Sequence, residues 1–405
     1  MKTEEEAQLE KVFPFGSKGL IAFLAFLNAF VPLSIDLYLP AMPTMAEYFS
    51  ATPELTNFTL SFFMLFFAIS MLLWGPFTDK FGRKPILYIG IVLYILGSLT
   101  CVLSQSIYHL IAGRAIQAIG SGAIQAVSMA IVKDNFKGLV MERVLVWIQT
   151  LTILCPMLAP IIGAFLLEFV SWRGLFIVLI LCGILGLILC FFLKETLTNA
   201  TEGSALRSLT RIGFVLKNRG ILILLFTFSL IIMPVMSFLS TSSFIYMDMF
   251  KQSAQEYSYF FALNGCFAML APILYLRVLR KIPRVLFLTI CFASVAASGA
   301  MILFFGTLSP FAFAFLYIPV TFFGSASRPA GTMLIMNQID TDNGTGSLWG
   351  CIALLFGSLS MMLCSLDWPN LTMAVGTISL VSGSLCALLW LFAWSRKMFR
   401  MPENR

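Results

Sequence analysis

The sequence predicts an all-α membrane protein of twelve transmembrane helices, arranged as two pseudo-symmetric six-helix halves with both termini cytoplasmic. Three observations predict it. Of 405 residues, 59% are hydrophobic and only 11% charged, against about 25% charged in soluble globular chains, so a soluble globular protein is excluded. Apolar stretches long enough to cross a hydrocarbon core about 30 Å thick recur twelve times, in two sets of six around one polar stretch. Lysine and arginine gather in every second connection between them.

The first six spans are read at Gly19 to Met42, Leu55 to Phe77, Pro85 to Leu103, Tyr108 to Val132, Val144 to Leu167 and Leu175 to Leu193. The second six follow at Ile221 to Tyr246, Tyr257 to Leu279, Val285 to Phe305, Pro310 to Ile335, Leu348 to Leu366 and Leu371 to Trp394. Between the sets, Glu195, Glu202, Arg207, Arg211 and Lys217 interrupt the hydrophobic pattern. The chain thus divides into a cytoplasmic segment at 1–18, a bundle at 19–193, a linker at 194–219, a second bundle at 220–395 and a cytoplasmic tail at 396–405. Glu4, Glu5, Glu6 and Glu10 give the N-terminus the wrong charge for a cleaved signal peptide, so the first span is expected to be retained.

Twenty-two of the 26 cations fall on one set of alternating connections, among them Lys80, Arg83 and Lys84, then Lys133, Lys137 and Arg143, then Arg277 to Arg284. Only Arg173 and Lys251 fall on the other set, with Arg114 and Arg328 inside spans. By the positive-inside rule the rich side, with both termini and the linker, is cytoplasmic. Cations dispersed this way are no nucleic-acid footprint. The nine cysteines, such as Cys182, Cys190 and Cys386, lie mostly in apolar runs without ligand-like spacing and read as small apolar side chains, giving neither disulfides nor a metal site. Gly120-Ser121-Gly122-Ala123 in span four matches Gly324-Ser325-Ala326-Ser327 in span ten. This suggests an internal repeat, although small residues also serve close helix packing. Repeated halves are the usual plan of secondary transporters that work by alternating access.

Asp36 is the one acid clearly within a span. A carboxylate there costs roughly 2.5 to 3.5 kcal/mol on insertion scales, which makes it a functional candidate. Arg114, on span four, enters at a similar depth from the outer face and can approach it. Burial raises a carboxylate's pKa and a nearby guanidinium lowers it, so Asp36 is expected to carry a proton and Arg114 to tune it; the alternative is a permanent structural pair. One proton moving through 100 mV and one pH unit releases about 3.7 kcal/mol, a gradient of a few hundred-fold for a neutral substrate. Glu168 and Asp248, at outer span ends, read as solvated. Asn28, two turns before Asp36, can share its face. Arg328, followed by Pro329, either snorkels to the inner interface or faces a cavity and favours an anionic or carbonyl-bearing substrate. His109 reads as an outer-interface residue. One histidine and one intramembrane acid supply neither a nucleophile with its base nor a metal constellation, so the chain is not read as an enzyme.

After span two, Gly75-Pro76-Phe77-Thr78-Asp79-Lys80-Phe81-Gly82-Arg83-Lys84-Pro85 resembles the signature G-x-L-x-D-R-x-G-R-K of major facilitator superfamily transporters. Gly75 is expected to let helices approach closely, Asp79 to sit near the end of span two, and Lys80, Arg83 and Lys84 to pair with acids or lipid phosphates. Gly113-Arg114-Ala115-Ile116-Gln117-Ala118-Ile119-Gly120 is similar to the R-x-x-Q-G element of proton-coupled members, which places Arg114 and Gln117 on one helical face. Cys155-Pro156-Met157-Leu158-Ala159-Pro160-Ile161-Ile162-Gly163-Ala164 is similar to the element of the exporting, antiport branch, with Ala159 and Ala164 where that element usually has glycine. Ser34-Ile35-Asp36-Leu37-Tyr38-Leu39-Pro40-Ala41-Met42-Pro43 resembles the bicyclomycin-resistance subfamily of drug exporters.

The resemblance implies a proton-coupled exporter of small lipophilic compounds, monomeric, resident in the cell membrane and driven by the proton gradient without a cofactor. Its partners would be protons, the small-molecule substrate and the lipid bilayer, with no nucleic acid. Spans one, two, four and seven line the cavity in that family, which nominates Asn28, Tyr38, Phe62, Met64, Gln125, Met236, Phe238 and Tyr246, with Arg328 from span ten. The 40 Phe and 21 Met suit a cavity that adapts to varied apolar ligands. Two alternatives stay open within transport: an exporter of one endogenous metabolite, and a proton-symport nutrient importer.

Overall fold

The computed structural model describes residues 12–136, 138–197, 219–336, 338 and 345–398, which form helices and their connections with no strand among them. Most of the expected linker, 198–218, lies outside the described residues, as do 1–11, 399–405 and Lys137. The helices are α1 (Gly16–Asp36), α2 (Met42–Tyr48), α3 (Pro53–Phe81), α4 (Arg83–Val102), α5 (Ile107–Asn135), α6 (Gly138–Leu167) and α7 (Trp172–Phe192). There follow α8 (Arg219–Leu230), α9 (Met233–Ser243), α10 (Ala254–Arg277), α11 (Arg284–Phe305), α12 (Pro310–Met336), α13 (Thr345–Cys364) and α14 (Leu371–Ser395). Span one is α1 with α2, and span seven is α8 with α9 and a π-helical turn, Phe244–Met249. Ten helical stretches are long and apolar enough to cross a bilayer, and the described parts of two more, Leu154–Leu167 and Trp349–Cys364, are shorter apolar helices.

Helices overrun the apolar windows that announce them, because backbone hydrogen bonding continues into the interface. Span two therefore reaches Phe81 rather than Phe77, and span one reaches Tyr48 rather than Met42. Span one is also broken. Pro40 has no N–H to give the carbonyl of Asp36, four residues earlier, and α1 ends at Asp36. The same device breaks span seven: Pro234 withholds the donor that the Leu230 carbonyl would need, and α8 ends at Leu230. Side chains bond the backbone just past the second break, Ser360 Oγ donating to Met233 O at 2.6 Å and Tyr317 OH to Pro234 O at 2.9 Å. Several helix starts are capped: Ser106 Oγ accepts from His109 N, Asn370 Oδ1 from Met373 N, and Ser253 forms a capping box with Glu256. His109 itself is exposed.

The chain divides into two compact units, Met1–Ser50 with Leu65–Ser208, and Ala51–Met64 with Leu209–Arg405. The sequence reading cut the halves at the linker alone, whereas residues 51–64 group with the second unit, where Ser358 Oγ donates to the Ser61 carbonyl at 2.9 Å.

In the first unit α4 and α5 share the most extensive packing. Lipid tails are as apolar as leucine, so helices in a bilayer associate by close packing of small residues rather than by escape from water. The seam shows this: a Cβ on Gly97 would run into the Gln117 backbone, and one on Gly120 would lie 2.5 Å from Gly90 O and from Tyr94 N. In the same unit the guanidinium of Arg173 lies 4.5 Å from the Tyr48 ring centroid and 4.2 Å from that of Trp172, and donates to Val102 O and Ser104 O. It ties α2, α4 and α7 together. In the second unit α11 packs on α14 through a similar seam, where a Cβ on Gly383 would lie 2.6 Å from Ala296 N. Gly75 does not show the close approach expected of it: among the described residues a Cβ there would meet nothing within 4 Å. Accordingly, Gly120→Val should destabilise the solubilised protein by about 1–3 kcal/mol through overpacking, while Gly75→Ala should leave its thermal unfolding midpoint unchanged.

Candidate functional site

Asp36 stands at the last turn of α1, where the break leaves it next to backbone no longer in a helix. Its side chain is 3% exposed, and its Oδ1 is buried without a hydrogen bond. Among the described residues no cation lies within ion-pair distance of it. Two things hold the carboxylate there. Pro40 fixes where the helix stops, and Gly163 of α6 meets the chain one residue on, because a Cβ at Gly163 would overlap the Leu37 carbonyl oxygen. Pro156 and Pro160 lie inside the same helix, α6, and Cys155 sits within electrostatic reach of Asp36. The span-five element therefore packs directly on the break that carries the acid.

Arg114 is fully buried on α5 and donates to Gln117 Oε1; Gln117 Nε2 in turn donates to Ser98 Oγ of α4 at 2.8 Å. Its guanidinium lies 4.5 Å from the ring centroid of Tyr38, two residues past Asp36. The span-four element thus brings Arg114 to the level of Asp36 without closing an ion pair, so the permanent pair of the alternative reading is not formed in this structure. Gly120 belongs to the helix seam. Tyr38 is buried beneath the guanidinium rather than open to a cavity. Ser34 and Tyr94, which the sequence does not single out, join α1 to α4 through a hydroxyl–hydroxyl hydrogen bond of 2.7 Å, two residues before Asp36.

Asn28 does not reach toward Asp36. Its amide donates to Leu24 O at 2.7 Å and Ser128 Oγ at 2.6 Å, and its oxygen accepts from Gln125 Nε2 at 2.8 Å. These two cavity candidates form a neutral cluster between α1 and α5. In the second unit Phe238 and Tyr246 are core residues: Phe238 stacks on Tyr317 at 4.2 Å, Tyr246 on Phe260 at 4.8 Å, and both meet Phe313. Met64 is buried, Phe62 half-buried, and Met236 packs where a Cβ on Gly357 of α13 would meet it at 2.9 Å. Arg328 is exposed.

At the other end of the spans, α3 and α4 are separated by Gly82 alone, with φ +100°, a conformation that glycine adopts without strain. Arg83 is 6% exposed and pairs with Asp79 and with Asp134 of α5, its Nε lying 2.8 Å from Asp134 Oδ2. Glu195 closes the site from the chain after α7. Its Oε1 accepts from the backbone N–H of Arg83, Thr196 and Leu197, each at 2.9 Å, and its Oε2 from that of Lys84 at 3.1 Å. This satisfies the free N–H groups at the start of α4 and sets a negative charge at the positive end of its dipole. Lys84 Nζ donates to Phe191 O at 2.9 Å. A Cβ on Gly82 would fall 2.6 Å from Glu195 Oε2, so the glycine is needed for its conformation and for room.

This architecture matches the family model described as Major Facilitator Superfamily over residues 21–363. The chain belongs to the Major Facilitator Superfamily. It is 34% identical over 259 residues to the MFS-type transporter YdgK of Bacillus subtilis, covering 62% of this chain and 64% of that one. It is 29% identical over 282 residues to a bicyclomycin resistance protein homolog of Haemophilus influenzae, covering 69% and 71%. With the multidrug resistance protein MdtL of Klebsiella pneumoniae it shares 31% identity over 175 residues, 43% of this chain and 45% of the relative. The chain thus spans somewhat less than two thirds of the YdgK relative and under half of MdtL. Among solved structures, a bacterial homolog of the human lysosomal transporter Spinster, inward-facing and unoccupied, aligns over all of both chains with TM-score 0.69 at 14% identity. A D-xylose–proton symporter aligns over 93% of this chain and 97% of its own with TM-score 0.67 at 16% identity. These two likenesses concern the fold.

In this superfamily member two acids escaped the sequence reading, and for a stated reason. Asp134 follows a lysine at the end of span four and looks like part of a solvated loop, and Glu195 looks like the first acid of a polar linker. Their partner, Arg83, is 51 and 112 residues away. Replacing Glu195 by alanine should uncap α4 and cost about 0.5–2 kcal/mol, read as a lower thermal unfolding midpoint, whereas Glu195→Gln should retain part of it through the one oxygen that still accepts.

Proposed function

We propose that this superfamily member exports small, lipophilic organic compounds in exchange for protons, by alternating access. The observation that carries the reading is Asp36, a carboxylate 3% exposed at a helix break, with no ion-pair partner among the described residues. A buried charge without a partner costs several kcal/mol, so such an acid is hosted in its protonated form and ionises when water or a cation reaches it. Arg114, held against Tyr38 and directed by Gln117, is the cation placed to do so. Proton uptake and release then follow from changes in that separation, and substrate competes with the proton for the same region. The contact of Gly163 with Leu37 supports the exporting direction that the span-five element implies, since it ties that element to the acid. Two relatives named for bicyclomycin and multidrug resistance support drug-like cargo.

The bias of lysine and arginine supports a multi-pass cell-membrane protein with cytoplasmic N- and C-termini. The chain acts as a monomer, with protons and the exported compound as its partners and no cofactor.

The reading is tested in inside-out vesicles energised to acidify their interior, with wild type, Asp36→Asn and Asp36→Glu side by side. Adding an exported compound should partly collapse the pH gradient in wild type and have no effect in Asp36→Asn, while Asp36→Glu should keep the response at a reduced rate. An undiminished response in Asp36→Asn would remove Asp36 from proton carriage.

A further inference from the structure

Arg328 is the one cation deep inside a span that the account above leaves unused, and its surroundings are specific. It lies eight residues, about 12 Å, before the end of α12 at Met336. At 100° per residue its direction is roughly 130° from the row of Phe311, Phe315 and Met333, the residues that α12 exposes as lipid-facing hydrophobics. Within about 40° of it lie Tyr317, Thr321 and Gly324, all buried. An exposed arginine on an otherwise buried face stands apart from the row that α12 turns to lipid. A side chain on a helix leans over the turn that precedes it, and one turn before Arg328 stands Gly324, where a Cβ would meet nothing within 4 Å. The guanidinium thus leans over a glycine that leaves room for a ligand. On the positive-inside orientation that lean points toward the bilayer middle, opposite to snorkelling at the cytoplasmic face. Among the described residues no acid pairs with Arg328.

We propose that Arg328 recognises the exported compound, and that this compound bears a carboxylate or comparable anionic oxygen group on a lipophilic body. The inference rests on the export reading and narrows its cargo. A planar guanidinium bonds a carboxylate through two parallel N–H donors, and loses far less on desolvation than an ammonium does. An unneutralised cation at this depth is costly until an anion meets it, so it selects against lipophilic cations. Exchange of such an anion outward for a proton inward moves two positive charges inward per cycle, which makes transport strongly dependent on membrane potential.

The test measures binding to the purified full chain in detergent, with decanoate and 1-naphthoate as probes, their methyl esters as neutral controls, and tetraphenylphosphonium as the cation. Wild type should bind each acid more tightly than its ester and than the cation. Arg328→Gln should weaken the acids about 10- to 100-fold and leave the esters unchanged, which also shows that the variant is folded. Arg328→Lys should fall between, as a point charge without the fork. Equal binding of the acids by wild type and Arg328→Gln, or a wild-type preference for esters or the cation, overturns the proposal. So does an absence of binding by either acid. If tetraphenylphosphonium collapses the vesicle pH gradient through Asp36 in wild type and Arg328→Gln alike, the export reading stands and this narrowing falls.

Discussion

The constraint on which the candidate site depends is the cost of a carboxylate in hydrocarbon. Asp36 is held where that cost is not offset by an ion pair, at a helix end imposed by a proline four residues later and pressed by a glycine of α6. Each part has its own elementary cause: Pro40 lacks a donor, Gly163 lacks a Cβ, and Tyr38 offers the ring face on which Arg114 lies. Together they hold the acid at the helix end and the guanidinium on the ring two residues further on, with no ion pair between the two.

The second unit repeats the proline device without the acid. Span seven stops at Leu230 for want of the N–H of Pro234, and neighbouring hydroxyls of Tyr317 and Ser360 bond the backbone just beyond. The opening span of each half is thus jointed, and only the first joint carries a carboxylate. Where α3 turns into α4, Arg83, Asp79, Asp134 and Glu195 lock the turn to α5 and to the chain after α7.

Much of the fold was legible because the bilayer imposes one length on every span and one charge bias on alternate loops. The twelve spans, the polar interruption near Lys194 and the isolation of Asp36 all follow from that. The cap by Glu195 was not legible, since nothing local to a polar linker says that its first acid will reach a helix start 112 residues away. The joint in span one was written in Pro40 and hidden by the surrounding hydrophobicity, which let the apolar window run straight through to Met42. The packing of Phe238 and Tyr246 was hidden for a related reason: composition places aromatics in a span but does not say which face they take, and here they pack on Tyr317, Phe313 and Phe260. Asn28 was placed on the correct helix, yet its amide bonds α5 rather than the acid.

The most direct measurement counts protons. Purified protein in weakly buffered detergent, with a pH-sensitive dye, receives a compound that wild-type vesicles export, and the protons released per transporter are recorded for wild type and Asp36→Asn. The account predicts about one proton from wild type and none from the variant, since the acid that exchanges with substrate is gone. Equal release from both proteins would contradict it and move proton coupling away from the break in span one.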